Sequence, residues 1–384
     1  MIFLTGYQIT EKVYAGVNTV IYRGIWEKHN LPVIVKTPIA EYPTLEEITR
    51  LRHEYKIRQP LREITEIINS YRTETHHNGI ALILEDFGGV ALSDFLMTAK
   101  LDLKQFLIIG IQLVTGLGKI HQHQIIHKDI KPQNIIINPS NNCVKITDFS
   151  ISSRLLRENA TSSYANLLEG TLAYMSPEQT GRMNRAIDYR SDFYSLGVTF
   201  YEMLTGELPF SAIDPLELVH CHIARIAPSP RSLNPEIPEA ISAIVMKLLA
   251  KTAENRYQTA EGLKFDLESC LAKLQTASGT ISDFIPGNAD RASQLLIPQK
   301  LYGRETEVAA LLSAFERVSG GNPPQPPLGK GGLLELCQST EEPPQPPLGK
   351  GGLLELCQST EEPPQPPLGK GGLLELCQST EEPP

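Results

Sequence analysis

The sequence predicts an α+β protein of two lobes, a small one built on an antiparallel sheet and a larger helical one, with a disordered repeat tail behind them. Three observations predict this arrangement. Short apolar strands dominate before about residue 88, amphipathic helical spacing dominates after it, and perfect repeats fill the last part of the chain. We therefore predict a folded domain over residues 1–275, divided into a sheet lobe (about 1–87) and a helical lobe (about 88–275).

The strands are predicted from short apolar runs bounded by turn formers. Two of these runs are "VIVK" at 33–36 and "ALILE" at 81–85, and a third, "VKITD" at 144–148, lies beyond the predicted lobe boundary. The helices are predicted from apolar or small residues that recur every three or four positions. Two such series predict long helices: Phe106, Ile109, Gly110, Leu113, Leu117 and Ile120, and then Phe193, Leu196, Gly197, Phe200, Met203 and Leu204.

The tail is built from one 20-residue unit, "PPQPPLGKGGLLELCQSTEE", which occurs three times without change, at 323–342, 343–362 and 363–382. Solenoid repeats usually vary from copy to copy. The prolines oppose regular structure, and the "GKGG" run is flexible. We predict a disordered tail over residues 321–384; the alternative is a Pro-rich ligand for a small domain with an aromatic groove.

Composition and charge limit the kinds of partner. The 384-residue chain is 41% hydrophobic and 21% charged, and its formal net charge is −9. An acidic balance does not favour binding to the phosphate backbone of a nucleic acid. No apolar run reaches the ~18–20 residues of a membrane helix, and "MIFLTGYQIT" lacks the basic start and apolar stretch of a signal peptide. We expect no nucleic-acid or membrane partner and a cytoplasmic location.

One polar segment stands between two apolar runs: "IIHKDIKPQNIIIN" at 125–138. Alone it would be a solvated turn, but other motifs accompany it. Lys36 ends a predicted strand, and Asp148 follows another in "ITDFS". Over about residues 7–274, the order of these motifs resembles the protein-kinase family. Three further motifs complete the resemblance: "GTLAYMSPEQ" (170–179), "SDFYSLGVTFYEMLTGELPF" (191–210) and "ENRYQTA" (254–260).

The resemblance implies a two-lobed protein-kinase fold that uses ATP and Mg²⁺ as cofactors. Lys36 matches the lysine that reaches the α- and β-phosphates. It needs a carboxylate to hold it in line, and Glu54 in "LRHEYKI" matches that partner, with Glu46 and Glu47 as alternatives. The other residues that the resemblance assigns to ATP binding are Gly16, Ile21, Leu84 and Glu85.

The resemblance also implies which residues carry the transfer chemistry. Asp129 matches the residue that accepts or orients the proton of the attacking hydroxyl, and Lys131 steadies the charge between donor and acceptor. Asn134 and Asp148 would hold magnesium, a hard cation that prefers oxygen ligands. Lys131 in "DIKPQN" and Thr171 in "GTLAYMSPE" resemble the serine/threonine subclass, so the expected partner is a protein substrate with Ser or Thr hydroxyls.

Four more positions match residues that brace the family's fold. Glu178 and Arg256 match a buried ion pair of the helical lobe, and Asp192 matches the aspartate that holds the backbone of the polar segment. His127 matches an internal brace, to which we assign no proton transfer. Taken singly, the polar residues of the segment would be ordinary turn formers, and the order of the motifs argues against that interpretation.

The glycine-rich loop and the metal-binding turn both depart from the family pattern. The loop reads "YAGVNTVI" at 14–21, so only the middle glycine, Gly16, remains. Tyr14 and Thr19 replace the others, and because glycine lets backbone amides close over phosphates, we expect a raised KM for ATP. Ser150 replaces the glycine of the metal-binding turn, which costs ~1 kcal/mol if that position needs a positive φ.

Lys128 stands where many family members have an arginine that grips an activating phosphate with two prongs. Lysine keeps the charge but not the fork. The sequence therefore leaves open whether phosphorylation activates the protein, and the candidate phosphorylation sites are Thr161, Ser162 and Ser163.

A second resemblance begins after a predicted linker over 276–300. "LYGRE" at 301–305 resembles the start of the ATPase domain that follows the kinase domain in very large bacterial signalling proteins, which continue into a GAF sensor and a histidine kinase. No phosphate-binding loop follows before the repeats. We therefore predict that residues 301–320 are the remnant start of an ATPase domain, and that a separate ATPase or sensor histidine kinase is a partner.

Three hypotheses of function follow. The first is a serine/threonine protein kinase in bacterial signal transduction, which transfers the γ-phosphate of ATP. The alternative is a pseudokinase-like binding or scaffold module with weak or no transfer, which the degraded glycine loop favours. The third is the product of a decaying gene.

Overall fold

The computed structural model describes residues 3–76, 79–154, 172–183, 185–275 and 284–291, together with Ala310 and Ser313. Contacts divide the chain into two units, Met1–Gly303 and Arg304–Pro384. Both predicted lobes lie in the first unit, and the description below concerns that unit.

The sheet lobe contains a five-stranded antiparallel sheet with the strand order β1-β2-β3-β5-β4. Period-two alternation decides which residue faces which side. Val33 and Val35 are fully buried in one apolar cluster, whereas Ile34 packs in a second cluster on the opposite face. Lys36 has the same parity as Ile34 and therefore lies on the second face. The strands are β1 (Tyr7–Ala15), β2 (Thr19–Trp26), β3 (Leu31–Pro38), β4 (Ser70–His76) and β5 (Gly79–Glu85).

One helix, α1 (Leu45–Arg58), covers the second face of this sheet. It begins at a capping box, because the Thr44 side chain accepts from the Glu47 backbone N–H and the Glu47 carboxylate accepts from the Thr44 N–H. Its buried residues recur at helical spacing and include two charged ones, Glu54 and Arg58, beside Leu51 and Ile57. Burial of two ionisable side chains on one helix face requires that they be paired.

The helical lobe is organised around two long helices that the apolar spacing predicts. Five of the six predicted core positions of the first series are at most 1% exposed, and Gly110 is buried with them. Gly197 allows its helix to approach the helix that carries Leu248, since an added Cβ would lie 2.7 Å from the Cβ of Leu248. The helices are α2 (Leu92–Thr98), α3 (Leu103–Gln122), α4 (Arg190–Thr205), α5 (Pro215–Ala224), α6 (Pro230–Leu233), α7 (Glu239–Leu248) and α8 (Ala260–Gln275).

A small second sheet positions the polar segment of the sequence. Its order is β6-β7-β8, with β6 at Val90–Ala91, β7 at Ile135–Asn138 and β8 at Cys143–Ile146. The segment of residues 127–134 lies immediately before β7, and Asp148 lies two residues after β8. Because β7 and β8 pair as an antiparallel hairpin, the two polar stretches meet at one end of it.

Helix α3 qualifies the expectation that no segment is suited to a membrane. Among the described residues, α3 alone is long and apolar enough to cross a bilayer by length and composition, with 56% of its apolar window buried. Its buried side chains belong to the main apolar cluster of the helical lobe. Core packing therefore accounts for its apolar sequence.

Residues 284–291 fall within the predicted linker yet contact the helical lobe. The Asp290 carboxylate accepts from the Gln258 N–H at 2.5 Å and from the Thr259 hydroxyl at 2.6 Å. The Gly287 N–H donates to Asp266 at 2.6 Å. These hydrogen bonds tie the segment to the start and middle of α8. The predicted tail (321–384) lies outside the described residues, as does the predicted ATPase remnant except for Ala310 and Ser313.

Candidate functional site

Lys36 connects two carboxylates that come from distant parts of the chain. Its Nζ lies 2.8 Å from Glu54 Oε2 and 2.9 Å from Asp148 Oδ1. The Lys36 and Glu54 side chains are 6% and 0% exposed, while that of Asp148 is 31% exposed. Lys36 is therefore held by a buried residue of the sheet lobe, whereas the Asp148 side chain is partly exposed to solvent.

The structure distinguishes Glu54 from the two alternative glutamates. Glu46, at the exposed start of α1, pairs with Arg50 at 3.0 Å. Glu47 is committed to the capping box with Thr44. Only Glu54 lies on the helix face that is turned toward the sheet, where it meets the lysine of β3.

The charges of this group reinforce one another. Burial acts to lower the pKa of Lys36, but the carboxylates of Asp148 and Glu54 outweigh it and raise the pKa above its ordinary value. Burial acts to raise the pKa of Asp148, but the neighbouring ammonium of Lys36 holds it well below its usual range. Both groups are therefore charged at neutral pH.

The polar segment brings Asp129, Lys131 and Asn134 together. Asp129 Oδ2 lies 2.8 Å from Lys131 Nζ and accepts from Asn134 Nδ2 at 2.7 Å. Asn134 Nδ2 also donates to the Asp129 carbonyl at 2.9 Å. The other carboxylate oxygen, Asp129 Oδ1, is buried and has no hydrogen-bond partner among the residues that the structure describes. Asp129 Oδ1 is thus held in place and is able to accept a hydrogen bond from a group outside the described residues.

Asp192, at the start of α4, supports the backbone of this segment. Its carboxylate accepts from the His127 N–H at 2.9 Å and the Lys128 N–H at 2.7 Å, and contacts His121 Nε2 at 2.8 Å. Lys128 has a left-handed backbone with φ 68°, which is costly for a side chain of this kind. The bond to Asp192 and another from Gln179 Nε2 to the Lys128 carbonyl hold that conformation.

His127 lies beneath the segment as a neutral side chain. Its Nδ1 accepts from the Asp129 N–H at 3.3 Å, so the proton lies on Nε2, which donates to the Thr147 carbonyl at 3.0 Å. Burial lowers its pKa. The ring also meets Phe149 edge to face, with centroids 4.7 Å apart. The ring therefore lies between the polar segment and Phe149.

In the predicted metal-binding turn, the left-handed backbone belongs to Asp148 and not to Ser150, the residue considered from the sequence. Ser150 does not have a positive φ; Asp148 does, at 60°. Aspartate tolerates this region because its short polar side chain bonds locally, and here Asp148 Oδ1 accepts from the Ser150 N–H at 3.3 Å. Ser150 therefore does not carry the conformational cost of a positive φ.

The loop between β1 and β2 has a side chain lying across its remaining glycine. A Cβ added to Gly16 would lie 3.0 Å from the ring of Tyr14, which is 57% exposed. The turn is closed by the Gly16 N–H, which donates to the Thr19 carbonyl at 2.9 Å. Ile21 pairs with Lys36 across β2 and β3, so it lies directly beside the lysine.

The remaining predicted ATP-binding residues, Leu84 and Glu85, end strand β5. Leu84 is 3% exposed and pairs with Ile34 in the cluster that faces α1. The Glu85 carboxylate is occupied, because it accepts from Lys145 Nζ at 2.6 Å and from the Asn69 N–H at 3.0 Å. A nucleotide contact from Glu85 would therefore come from its backbone.

Glu178 and Arg256 form a two-pronged ion pair within the helical lobe. The Arg256 guanidinium donates to the two carboxylate oxygens at 2.6 and 2.8 Å. Both side chains are at most 5% exposed, and the Ser191 hydroxyl adds a third bond to Glu178 at 2.7 Å. Burial acts to raise the pKa of Glu178, but Arg256 lowers it to about 2.

Some predicted residues lie outside the described part of the chain. Residues 155–171 are not described, so the structure places neither Thr171 nor the candidate phosphorylation sites Thr161, Ser162 and Ser163.

Three residues that support the site are not among those predicted from the sequence. Ser152 donates from its hydroxyl to the His127 carbonyl at 3.0 Å, and Gln179 bonds the carbonyl of Lys128. Arg58 is buried against Glu54 with 1% exposure. Only Arg58 had a signal in the sequence, because its spacing of four residues from Glu54 places both on one helix face.

A sheet lobe and a helical lobe that gather a lysine, three carboxylates and an amide define the protein-kinase class of fold. The chain belongs to the protein kinase family: the model of the protein kinase domain matches residues 7–266. Members of this family use ATP and magnesium.

Two of three similar curated proteins carry serine/threonine kinase names, and the third is named as a hybrid histidine kinase. The chain is 30% identical over 301 residues to a probable serine/threonine-protein kinase of Clostridium perfringens, covering 78% of this chain and 43% of that protein. It is 33% identical over 189 residues to serine/threonine-protein kinase PrkC of Bacillus subtilis, covering 49% and 28%. It is also 32% identical over 311 residues to hybrid signal transduction histidine kinase G of Dictyostelium discoideum, covering 58% and 9%. The chain thus spans less than half the length of each of these relatives.

Proposed function

We propose that this protein is a serine/threonine protein kinase that transfers the γ-phosphate of ATP to a hydroxyl of a protein substrate. The observation that carries the proposal is the buried Oδ1 of Asp129, which has no partner within the described part of the chain, while the other oxygen is fixed by Lys131 and Asn134. A buried acceptor without a partner is suited to a proton that arrives with the substrate.

The residues near Asp148 fit a magnesium ion bound together with a nucleotide. The Asn134 carbonyl accepts from the Thr147 N–H at 2.9 Å, which brings Asn134 next to Asp148. A carboxylate and an amide oxygen are ligands that a hard cation prefers, and magnesium is commonly held by one or two carboxylates plus phosphates. No group of three or more His, Cys, Asp or Glu able to hold a metal occurs among the described residues. When bound, the ion neutralises charge on the phosphates.

Each of the chain's residues has a defined part in the transfer. Lys36, held by Glu54, binds the phosphates that stay behind. The substrate hydroxyl forms a bond to the γ-phosphorus as the bond between that phosphorus and the ADP oxygen breaks. The hydroxyl proton passes to Asp129 Oδ1. Lys131 offers a positive charge beside the transferred group.

The pseudokinase alternative is not favoured, because the lysine, its glutamate, the base and both metal-site residues are all present. The degraded loop near Gly16 changes how phosphates are covered but removes none of these groups. We propose instead that it weakens the grip on ATP.

Transfer from labelled ATP to a generic protein substrate by the full chain tests the proposal. We expect magnesium-dependent phosphorylation of Ser or Thr that falls by about 100-fold or more in Lys36→Met, because one anchored cation is removed from the phosphates. Lys28→Met, at an exposed position of the β2–β3 turn, is the matched control and should keep full activity. Absence of transfer by the unaltered protein, with nucleotide binding intact, would establish the binding-module alternative.

Restoring a glycine at position 14 should improve the affinity for ATP. We expect Tyr14→Gly to lower the KM for ATP by about 3- to 10-fold, roughly the worth of one hydrogen bond, because the ring no longer lies across Gly16. The value of kcat should change little. Val13→Gly, next to it on the same strand, controls for added flexibility in β1, and steady-state kinetics at varied ATP measures both. An unchanged or higher KM in Tyr14→Gly would contradict this account of the loop.

The cellular location and the partner of the protein are proposed from the sequence resemblance. A kinase needs ATP, so we propose a cytoplasmic location. We also propose that the protein acts with a separate ATPase or sensor histidine kinase, on the likeness of "LYGRE" to an ATPase start. Co-purification from the source cell would test that partnership.

A further inference from the structure

The segment "FIPGNADR" at 284–291 extends the folded domain beyond the part that the family model matches, which ends at residue 266. The segment has a turn of its own, because the Asn288 N–H donates to the Ile285 carbonyl at 3.3 Å and Gly287 has φ 78°. Proline and glycine at the two central positions are typical of a type II turn. We call residues 284–291 the strap.

The strap runs antiparallel to α8 and is bonded to it. The Gly287 N–H donates to Asp266 in the middle of the helix at 2.6 Å. Further along the strap, the Asp290 carboxylate reaches the start of the helix, where it accepts from the Thr259 hydroxyl at 2.6 Å and from the Gln258 N–H at 2.5 Å. The strap therefore follows α8 over about half of its length.

The strap supplies partners that the start and middle of α8 need. Asp266 is 3% exposed, and without the strap the Tyr257 hydroxyl would be its one donor among the residues that the structure describes. The Thr259 hydroxyl accepts from the Gly262 N–H at 2.9 Å and donates to Asp290. The negative charge of Asp290 thus lies at the positive end of the helix dipole. These contacts satisfy polar groups that are costly to bury alone.

Gly262 is explained by the strap and not by the helix that contains it. A Cβ added at Gly262 would lie 2.5–2.7 Å from the Oδ1, Cβ and Cγ atoms of Asp290. A change of rotamer would not relieve this clash, because the Cβ of Asp290 is fixed to its backbone. Glycine within a helix is less favourable than alanine. The close approach of Asp290 offsets that cost.

The strap is held on one side only. On its other side lies a cavity of about 580 Å³, whose lining includes Ala289 and Arg291 of the strap and His121 of α3. Phe284 packs against the main apolar cluster, whereas Ile285 is 71% exposed. A segment held by a few partly exposed hydrogen bonds and one packed ring is at the low end of local stability. The strap is therefore expected to open while the rest of the helical lobe stays folded.

Gln258 connects the strap to the start of α4. Its N–H donates to Asp290, its carbonyl accepts from the Tyr189 hydroxyl at 2.8 Å, and its Oε1 accepts from Arg190 Nη1 at 2.8 Å. Arg190 begins α4, and Asp192 in the same turn holds the backbone of the polar segment. Hydrogen bonds thus lead from the strap to the segment that carries the proposed base.

We propose that the strap is a conformational latch: docked on α8, it restrains Gln258 and, through the start of α4, the polar segment that carries Asp129. When the strap opens, that segment becomes looser and phosphoryl transfer slower. This inference rests on the proposed kinase function. Because the kinase domain continues into the rest of the chain through the strap, a partner that pulls on the following residues would slow transfer by opening the latch.

The first test opens the latch from the side of the helix, with Gly262→Ala in the full chain. We expect hydrogen exchange, followed by mass spectrometry, to be about 10-fold faster in peptides that cover the strap and about 3- to 10-fold faster in peptides that cover residues 125–138. Alanine is the better helix former, so the helix alone predicts no such loosening. Glu268→Ala, at an exposed position of α8, is the matched control. Unchanged exchange in either peptide would overturn the inference.

The second test opens the same contact from the side of the strap, with Asp290→Ala. We expect Asp290→Ala and Gly262→Ala each to lower kcat by about 10-fold, the scale of a typical coupling between distant sites. The KM for ATP should stay within about 2-fold, because the lysine and its carboxylates are not on the path from the strap. Asn288→Ala, at an exposed position of the strap, controls for a change of sequence there.

The double variant separates one latch from two independent effects. If both substitutions open the same contact, Gly262→Ala with Asp290→Ala should be about as slow as the slower single variant. Thermal unfolding shows that each variant is folded at the assay temperature. Multiplied losses, or wild-type kcat in both single variants, would overturn the inference, and if Gly262→Ala does not fold, Asp290→Ala alone decides.

Exchange and transfer together distinguish this inference from the proposed function. If the unaltered protein shows no transfer but Gly262→Ala loosens both peptides, the proposed function fails and the latch stands. If the unaltered protein transfers phosphate and both single variants match it in kcat and exchange, the latch alone fails.

Discussion

Asp129→Asn is expected to lower kcat for phosphoryl transfer by about 1,000-fold, the scale of a lost general base, while nucleotide binding stays within about 2-fold. Asparagine has the same shape and still offers an oxygen to Asn134 and Lys131, so the segment keeps its geometry. Asparagine has no basic oxygen in the place of Oδ1, the carboxylate oxygen for which the described residues offer no partner. Single-turnover transfer and fluorescent-nucleotide binding measure the two effects.

The control for this prediction is Asp94→Asn, at an exposed position on α2. It changes the net charge equally and should leave kcat unaltered. Retention of a tenth or more of the activity in Asp129→Asn would contradict the assignment of the base.

Arg256→Met is expected to destabilise the protein by about 3–5 kcal/mol, because it leaves the Glu178 carboxylate buried without its cation. Arg256 also donates to the carbonyls of Ala250, Arg190 and Lys251 at 2.8–3.1 Å, and all these bonds are lost. Urea unfolding at neutral pH measures the change. Arg231→Met is the matched control, because its ion pair with Glu239 is 3.5 Å long and largely exposed, so about 0–1 kcal/mol is expected.

The same pair predicts a pH dependence with a definite sign. The pKa of Glu178 is about 2 in the folded protein, against an ordinary value of 4.5, so its ionised form stabilises the fold. That contribution is complete above about pH 4.5 and is lost as the pH falls toward about 2. The deficit of Arg256→Met should therefore shrink at acid pH. A deficit that is the same at every pH would show that the pair does not act through charge.

The strands and helices were largely predictable because the spacing of their apolar residues is visible in the sequence. The run "VIVK" alternates between two buried faces of β3, and the series from Phe106 to Ile120 lies on one face of α3. Local patterns of this kind need no knowledge of distant residues. Contacts between such elements, such as the close approach of Gly197 to Leu248, have no local pattern of their own.

The main residues of the candidate site could be predicted from the sequence, but the partner or conformation of each one could not. Motif order singled out Lys36, Asp129, Asn134 and Asp148, while Glu54 had two competitors. The capping signature from Thr44 to Glu47 could have removed one of them, since it commits Glu47 to the helix start. No local pattern in the sequence predicts that Asp148, and not Ser150, has the left-handed backbone. The φ angle of Asp148 is set by neighbours that lie far away in the chain.

By itself, the sequence determined the two-lobed fold, the family and four side chains of the candidate site, because strand and helix periods and the order of short motifs are local properties. Only the tertiary structure decided that Glu54 is the partner of Lys36, that one oxygen of Asp129 finds no partner among the residues described, and that Arg58 joins α1 to Phe149. Those outcomes depend on which groups are desolvated together, and burial of charge is settled only when distant segments pack against each other.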